Sequence, residues 1–184
     1  MNHKSAFIAL AVLLSALVTG IAISAQDRET LRVPGGLSFS EFKGYETWQT
    51  ISLSHNGDKL ALILGNPVMI QAFKSGIPEN GKPFPDGAKM AKIHWVGKKI
   101  DTYPGQPLVA GALHDVDLMV KDSKRFVDSG GWGYGAFEYD TASDSFRPGN
   151  TTDQPPQSND AKCGAACHTV VKARDYVFTE FPRR

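Results

Sequence analysis

Both cysteines of the chain, Cys163 and Cys167, lie close together near the C-terminus, and His168 directly follows the second one. Two thiols followed by an imidazole suit covalent haem attachment, in which the sulfurs add to the vinyl groups and the histidine binds the iron. The usual attachment motif has two residues between its cysteines, whereas residues 164–166 make three here, all of them small. A disulfide across a tight turn, or a pair of structural thiols, is the alternative interpretation.

Residues 1–25 have the composition of a secretory signal peptide. A short polar start ending at Lys4 is followed by an uncharged apolar run over residues 6–23, with small residues near the expected cleavage point. The run also approaches the roughly 18-residue length that can cross a membrane, so an uncleaved anchor is the alternative. We expect the chain to be exported, and an oxidising compartment suits either a disulfide or a c-type haem.

The remaining chain, residues 26–184, has the composition of one soluble domain. Of all 184 residues, 41% are hydrophobic and 21% are charged, which is ordinary for a globular protein. The formal net charge is +1, and loss of Lys4, the one charged residue of the signal segment, would bring it to 0. A neutral chain without a basic block has no electrostatic footprint for nucleic acid, so we expect no nucleic-acid partner.

Helical patterns occur in three segments. A Ser-x-x-Glu capping box opens the first, and an Asn-Pro pair opens the second. In the third, apolar residues recur among charges at helical spacing, as in an amphipathic helix lying on a sheet. The predicted helices span about residues 39–48, 67–75 and 116–128.

Strand patterns alternate with these helices. The predicted strands span residues 51–54, 59–64, 88–96 and 132–139, and an Asn-Gly-Asp turn joins the first two as a hairpin. Residues 78–87 and 140–160 are rich in turn-forming or polar residues and are predicted to be loops. Helices and strands joined by short turns favour a single α+β domain, a mainly antiparallel β-sheet with a few packed helices.

The strand predicted over residues 88–96 contains two lysines, which lie on opposite faces. Lys92 shares a face with Met90 and His94, and Lys89 lies on the other face. A face that mixes apolar groups with an amine and an imidazole could form a site. A solvent-facing surface with extended lysine side chains is the alternative.

The strand predicted over residues 132–139 is rich in aromatic residues. Trp132, Tyr134, Ala136 and Glu138 share one face, and the two intervening glycines leave room on the other. Such room suits the close approach of a flat ligand or of another backbone. Ordinary aromatic packing is the alternative.

Taken together, these segments resemble the cytochrome P-460 family, which includes the hydroxylamine-oxidising cytochromes P-460 and the related cytochromes c′-beta. The matching stretches occur in one order over about residues 38–181. They are Phe-Pro-Asp-Gly at 84–87 followed by Lys92, residues 120–126, Gly131-Trp132, and Ala-Cys-His at 166–168 followed by residues 175–179.

The resemblance implies a mainly antiparallel β fold, commonly a homodimer, with a pentacoordinate haem c in the periplasm. It implies that Cys163 and Cys167 form the thioethers and that His168 is the axial iron ligand. Counted back from the histidine, the first cysteine of the family falls at Gly164. Attachment through Cys167 alone is therefore an alternative.

In the hydroxylamine-oxidising members a lysine is also cross-linked to the haem ring, five residues after the Asp-Gly of the Phe-x-Asp-Gly motif. Lys92 stands five residues after Gly87 and corresponds to it. A desolvated neutral amine is a nucleophile, and a bond to the ring would tune the iron. Lys89, on the opposite strand face, is the weaker candidate.

The resemblance also implies a distal side, opposite the histidine. Trp132 and Tyr134 are expected to contact the haem, and Glu138 on their face is the candidate distal base. A solvated acid at the strand end is the alternative for Glu138. If Ala136 faces the iron instead, the pocket has no base and binding of small gases becomes the expected role.

Three hypotheses follow for function. The first is an oxidoreductase that oxidises hydroxylamine or a related small nitrogen compound and passes electrons to a redox protein. The second is a nitric-oxide-binding protein without turnover, and the third is a haem-free secreted domain with a Cys163–Cys167 disulfide. A membrane association is expected only if the N-terminal segment stays uncleaved.

Overall fold

The strand-forming segments build one six-stranded antiparallel sheet in the computed structural model, which describes residues 28–34, 37–149 and 164–183. The strands lie side by side in chain order, each paired with the one before it. They are β1 Gln49–Asn56, β2 Lys59–Gly65, β3 Lys89–Lys99, β4 Leu108–Lys121, β5 Trp132–Asp140 and β6 Ser145–Pro148. The predicted α+β class with a mainly antiparallel sheet is confirmed.

In the described part of the chain, two α-helices accompany the sheet, α1 Pro67–Lys74 and α2 Ala165–His168, and residues 28–30 are also helical. The Asn-Pro pair begins α1 as predicted, since the Asn66 side chain accepts a hydrogen bond from the Met69 backbone N–H at 3.0 Å. The described residues also form four short 3-10 helices. They are Phe39–Phe42, Tyr45–Thr47, Val127–Ser129 and Thr169–Arg174.

The prediction of one helix over residues 39–48 is wrong, because the segment forms two separate 3-10 turns. Gly44 lies between them with a φ of 77°, a left-handed conformation that no α-helix continues through. The capping contact itself is present, since Glu41 Oε1 accepts a hydrogen bond from the Ser38 backbone N–H at 2.8 Å.

The prediction of a helix over residues 116–128 is also wrong. The first six of these residues belong to β4, and the rest form a turn that ends in a 3-10 helix. Val116, Leu118 and Val120 pack on one face of the sheet, whereas Met119 belongs to the core of the other. A strand buried on both faces loses its polar and apolar alternation, so its apolar residues also fit helical spacing.

The predicted loop over residues 140–160 contains a short strand that the sequence pattern missed. β6 pairs with the end of β5 as a hairpin, with Tyr139 opposite Phe146. The two rings meet edge to face at 5.1 Å, which explains why this polar segment adds a strand. Residues 150–160 of the predicted loop lie outside the described residues.

The sheet is covered on both faces. The N-terminal 3-10 segment, including Phe39 and Phe42, covers one face, and α1 with the C-terminal segment covers the other. The space on the side of Gly133 and Gly135 where a Cβ would point is filled by side chains of the core that includes Phe39 and Phe42, and not by a ligand. A Cβ on Gly133 would lie 2.3 Å from the Phe126 ring, and one on Gly135 would lie 2.8 Å from Leu37.

None of the helices in the described part of the chain is long and apolar enough to cross a membrane. Residues 1–25, for which a signal peptide or anchor is predicted, lie outside that part.

Candidate functional site

A cavity of about 350 Å³ lies between the second face of the sheet and the C-terminal segment. Its walls combine apolar side chains with a few polar ones, as is typical of a small-molecule site. The apolar members include Leu53, Ile63, Met90, Met119 and Phe178. The polar members include Lys92, Asp117, Tyr134, His168, Thr179 and Glu180.

The strand register places an amine and a carboxylate side by side in this cavity. Lys92 of β3 pairs directly with Asp117 of β4, and such cross-strand neighbours have Cβ atoms about 4.5–5.5 Å apart. The next row towards α1 is Met90, Met119 and Tyr134. The charged pair therefore borders an apolar surface that ends in a tyrosine.

His168 enters the cavity from the C-terminal segment in a fixed orientation. Its Nδ1 lies 2.6 Å from the backbone oxygen of Tyr176. Because a carbonyl oxygen only accepts hydrogen bonds, Nδ1 carries the proton and the neutral ring has its lone pair on Nε2. The ring also contacts Tyr134 at 5.0 Å and Phe178 at 4.9 Å between centroids. Histidines that bind metals are commonly oriented by such a second hydrogen bond.

The carbonyl that orients His168 is itself held by a buried ion pair. Asp175 and Tyr176 both have positive φ, 49° and 64°, so this turn needs support from its surroundings. Asp175 Oδ1 lies 2.7 Å from the Lys121 ammonium, and Asp175 Oδ2 accepts the Phe84 backbone N–H at 2.8 Å. The pair ties the histidine segment to β4 and to the loop before β3.

Replacement of Asp175 by alanine should lower the free energy of unfolding by about 3–5 kcal/mol, because it leaves a buried ammonium without its counter-charge. The two side chains of the Lys121–Asp175 pair are 7% and 13% exposed. Urea unfolding of the haem-loaded protein measures the loss. Glu46→Ala is the control, since it breaks an exposed pair with Arg28 and should cost less than about 1 kcal/mol. Equal losses in the two variants would contradict the expectation.

Tyr134 is a buried phenol at the cavity wall. Burial raises its pKa well above the ordinary value, and the nearby Tyr176 and Asp175 raise it further. The hydroxyl therefore stays protonated at neutral pH. It contributes a neutral dipole to the wall and no negative charge.

The structure brings three of the predicted site residues together, since Lys92, Tyr134 and His168 all line the cavity. Lys89 lies on the other face as predicted, where its ammonium donates to the Glu41 backbone oxygen. Cys167 is exposed on α2, next to His168. Cys163 lies outside the described residues.

Trp132 and Glu138 are not among the described residues that line the cavity. Trp132 is fully buried deeper in the core, with its ring 5.9 Å from that of Phe84 and 5.2 Å from the Lys121 ammonium. The Glu138 carboxylate pairs instead with Arg147 of β6, and its side chain is 45% exposed. The carboxylate that faces the cavity from the sheet is Asp117.

Asp117 was missed because its segment was predicted to be a helix. The period-two pattern of Val116, Leu118 and Val120 was the signal that could have placed Asp117 on the opposite face of a strand. With that strand paired to residues 88–96, Asp117 becomes the direct neighbour of Lys92.

The residues of the cavity fit a haem. Its apolar walls suit a macrocycle, and the Nδ1 hydrogen bond prepares His168 to bind iron through Nε2. Cys167, adjacent in sequence, would supply a thioether, together with Cys163. Lys92 and Asp117 line the same cavity and are available for chemistry there.

Comparison with known families agrees with this fit. The family model described as Cytochrome P460 matches residues 42–179, a stretch that contains Lys92, Asp117, Cys167 and His168. A comparison with curated proteins found no match. Membership in this family means that haem is the cofactor, which removes the haem-free alternative. The chain belongs to the cytochrome P460 family of haem-binding cytochromes.

Proposed function

We propose that this cytochrome oxidises hydroxylamine, or a related small nitrogen compound, at a pentacoordinate haem c. The observation that carries the proposal is the presence of Lys92 and Asp117 in the same cavity as His168. A protein that only binds a small gas needs an apolar pocket and no base. An oxidation that releases protons needs one.

When bound, the haem would supply an iron that can accept electrons from the substrate nitrogen and pass them to an acceptor. His168 would bind the iron through Nε2, and the hydrogen bond from its Nδ1 to the Tyr176 carbonyl would make its ring a stronger donor. Asp117 accepts protons that the substrate loses. The apolar side chains, Met90 and Met119 among them, exclude water and favour a small uncharged substrate.

Lys92 is the residue for a covalent link to the haem ring. The side chain reaches the cavity from β3 beside Asp117, a carboxylate that can take the proton an ammonium must lose before it acts as a nucleophile. Cys167 and Cys163 anchor the haem through thioethers in this proposal. The proposal also includes export to the periplasm, assembly as a homodimer, and a redox protein that accepts the electrons.

Replacement of Lys92 by alanine should remove the lysine-linked haem peptide and lower hydroxylamine turnover roughly 10–100-fold, the range expected when a group that tunes a metal centre is lost. The protein is matured in a haem-attaching host. Intact mass, peptide mapping and turnover with an electron-accepting dye are then measured.

Lys98→Ala is the matched control, because Lys98 lies on the same strand and is exposed. Lys89→Ala tests the lysine on the opposite face. Wild-type turnover in Lys92→Ala would remove Lys92 from the mechanism. A wild-type protein carrying one haem without turnover would overturn the oxidase proposal.

Nitric oxide binding without turnover is the second candidate function. The apolar wall that includes Ile63, Met90 and Met119 favours it, since it would accommodate a small uncharged gas. It predicts a stable ferrous nitrosyl spectrum together with an unmodified Lys92 peptide.

A further inference from the structure

Four titratable side chains form a continuous row from the cavity to the protein surface. Asp117 lines the cavity, and its Oδ2 lies 3.8 Å from Nδ1 of His94. The same His94 nitrogen is hydrogen-bonded to Oδ1 of Asp115. Oδ2 of Asp115 lies 2.5 Å from Nδ1 of His114. Each member therefore contacts the next, with one longer step at Asp117.

The solvent exposure of the side chains shows which end of the row meets water. Asp117, His94 and Asp115 are 20%, 14% and 17% exposed, whereas His114 is 40% exposed. The row thus begins at the cavity, passes through a half-buried centre and ends at the surface on His114.

An irregularity in β4 makes this row possible. His94 pairs with Asp115 and the next residue of β3, Trp95, pairs with Leu113, so His114 is an extra residue without a cross-strand partner. In a regular strand His114 and Asp115 would point to opposite faces. A β-bulge of this kind redirects a side chain and is found often next to active sites.

Asp115 is held as a carboxylate between the two imidazoles. Burial alone would raise its pKa, but the hydrogen bond and charge of His94, followed by those of His114, lower it below the ordinary value. Lys92 and Glu138 occupy the neighbouring cross-strand positions, opposite Asp117 and Asp115. An anionic bridge between two titratable rings is suited to proton exchange with both.

We propose that His94, Asp115 and His114 form a proton relay that carries protons from Asp117 in the cavity to the solvent. The proposal rests on the proposed function, because removal of two electrons from hydroxylamine yields nitroxyl and two protons. The electrons go to the acceptor, and the protons need a separate exit.

The transfers balance as single proton movements. His94, doubly protonated, gives its Nδ1 proton to Asp115 and becomes neutral, and the vacated nitrogen takes the proton of Asp117 as that side chain closes the 3.8 Å gap. Asp115 then rotates about its side-chain bond and passes its proton to the unprotonated ring nitrogen of His114. His114 releases the proton of its other nitrogen to water and regains its starting tautomer by proton exchange with solvent. One proton enters at Asp117 for each one that leaves His114, so the relay returns to its starting state.

The test uses His94→Gln and His114→Gln in the full haem-loaded protein, with hydroxylamine and an electron-accepting dye. The expected result is a kcat lowered about tenfold, at the low end of acid–base effects, with unchanged KM and haem absorption. The solvent deuterium isotope effect should rise. A pH indicator should show protons appearing in solution later than acceptor reduction, whereas in wild type the two coincide.

His55→Gln is the matched control, since His55 is an exposed histidine of β1 outside the row. Asp115→Asn, which keeps the side-chain shape, serves if a glutamine variant fails to fold, and it should give the same delay in proton release. If these variants showed the kcat, isotope effect and timing of proton release of the wild type, the relay would be overturned. Turnover of hydroxylamine by the wild type would still support the proposed function.

Absence of turnover in wild type would instead overturn the function on which the relay rests.

The His94, Asp115 and Asp117 ligand atoms also lie within 4.8 Å of one another, close enough to hold a cation. Turnover that is lost on treatment with a chelator and restored by a divalent cation would overturn the relay in favour of a metal site.

Discussion

Replacement of His168 by alanine is expected to abolish the spectrum of the proposed five-coordinate haem and to lower hydroxylamine turnover by more than about 100-fold. Loss of a group that merely orients a metal ligand costs about 10–100-fold, and His168 is proposed to be the ligand itself. The haem should remain attached, because the proposed thioethers to the cysteines do not depend on the imidazole. Intact mass and the ferric absorption spectrum separate these two effects.

The His168 variant also offers a rescue. The alanine leaves a space between Tyr134 and Phe178, the two rings that contact the imidazole at about 5 Å. Free imidazole should enter this space and restore a histidine-like spectrum, whereas it should not change the control variant His55→Ala. A His168→Ala protein with the wild-type spectrum would contradict the assignment of His168 as the iron ligand.

The local signals of the sequence were sufficient for the parts of the fold that depend on short-range interactions. The turn at Gly57 joins β1 and β2, and Asn66 caps α1. In both places the residue type itself fixes the backbone, since glycine permits a positive φ and the asparagine side chain accepts from the helix N-terminus. At these two places, contacts with residues distant in sequence therefore change the local backbone little.

The wrong helix over residues 116–128 has its physical cause in the burial of the sheet on both faces. Periodicity reports which side of an element meets water, and β4 has no such side over residues 116–121. The helical assignment that resulted hid Asp117 and left Glu138 as the candidate base. Trp132 was placed on the correct face of β5, but its depth depends on contacts with Phe84 and Lys121, which are distant in sequence.

The candidate site shows the same division between local and distant information. Lys92 and His168 were identified from motifs, and the fold places both at one cavity. The support of His168 through Tyr176 and Asp175 depends on an ion pair with Lys121, more than 50 residues away in sequence. The His94 row depends on a bulge, and a strand pattern does not indicate where an extra residue is inserted.

Replacement of Asp117 by asparagine is expected to lower kcat for hydroxylamine about 10²–10⁴-fold, the range for loss of a positioned general base. Asparagine keeps the shape and the cross-strand contact with Lys92 but accepts no proton. The haem content and the ferric spectrum should therefore stay close to wild type. Stopped-flow measurement of acceptor reduction at saturating hydroxylamine gives the effect.

Two matched variants decide whether the loss belongs to this carboxylate. Glu138→Gln removes the acid that shares the β5 face but pairs with Arg147, and it should leave kcat within about threefold, as expected of an acid that makes no contact with substrate. Asp117→Glu keeps a base on a longer side chain and should recover part of the rate. If Glu138→Gln lost as much activity as Asp117→Asn, the base would lie at Glu138, and the cavity of the haem-loaded protein would have to extend along β5 beyond Tyr134. Retention of full activity by Asp117→Asn would instead leave Lys92 and the haem sufficient for the oxidation, with the protons passing directly to water.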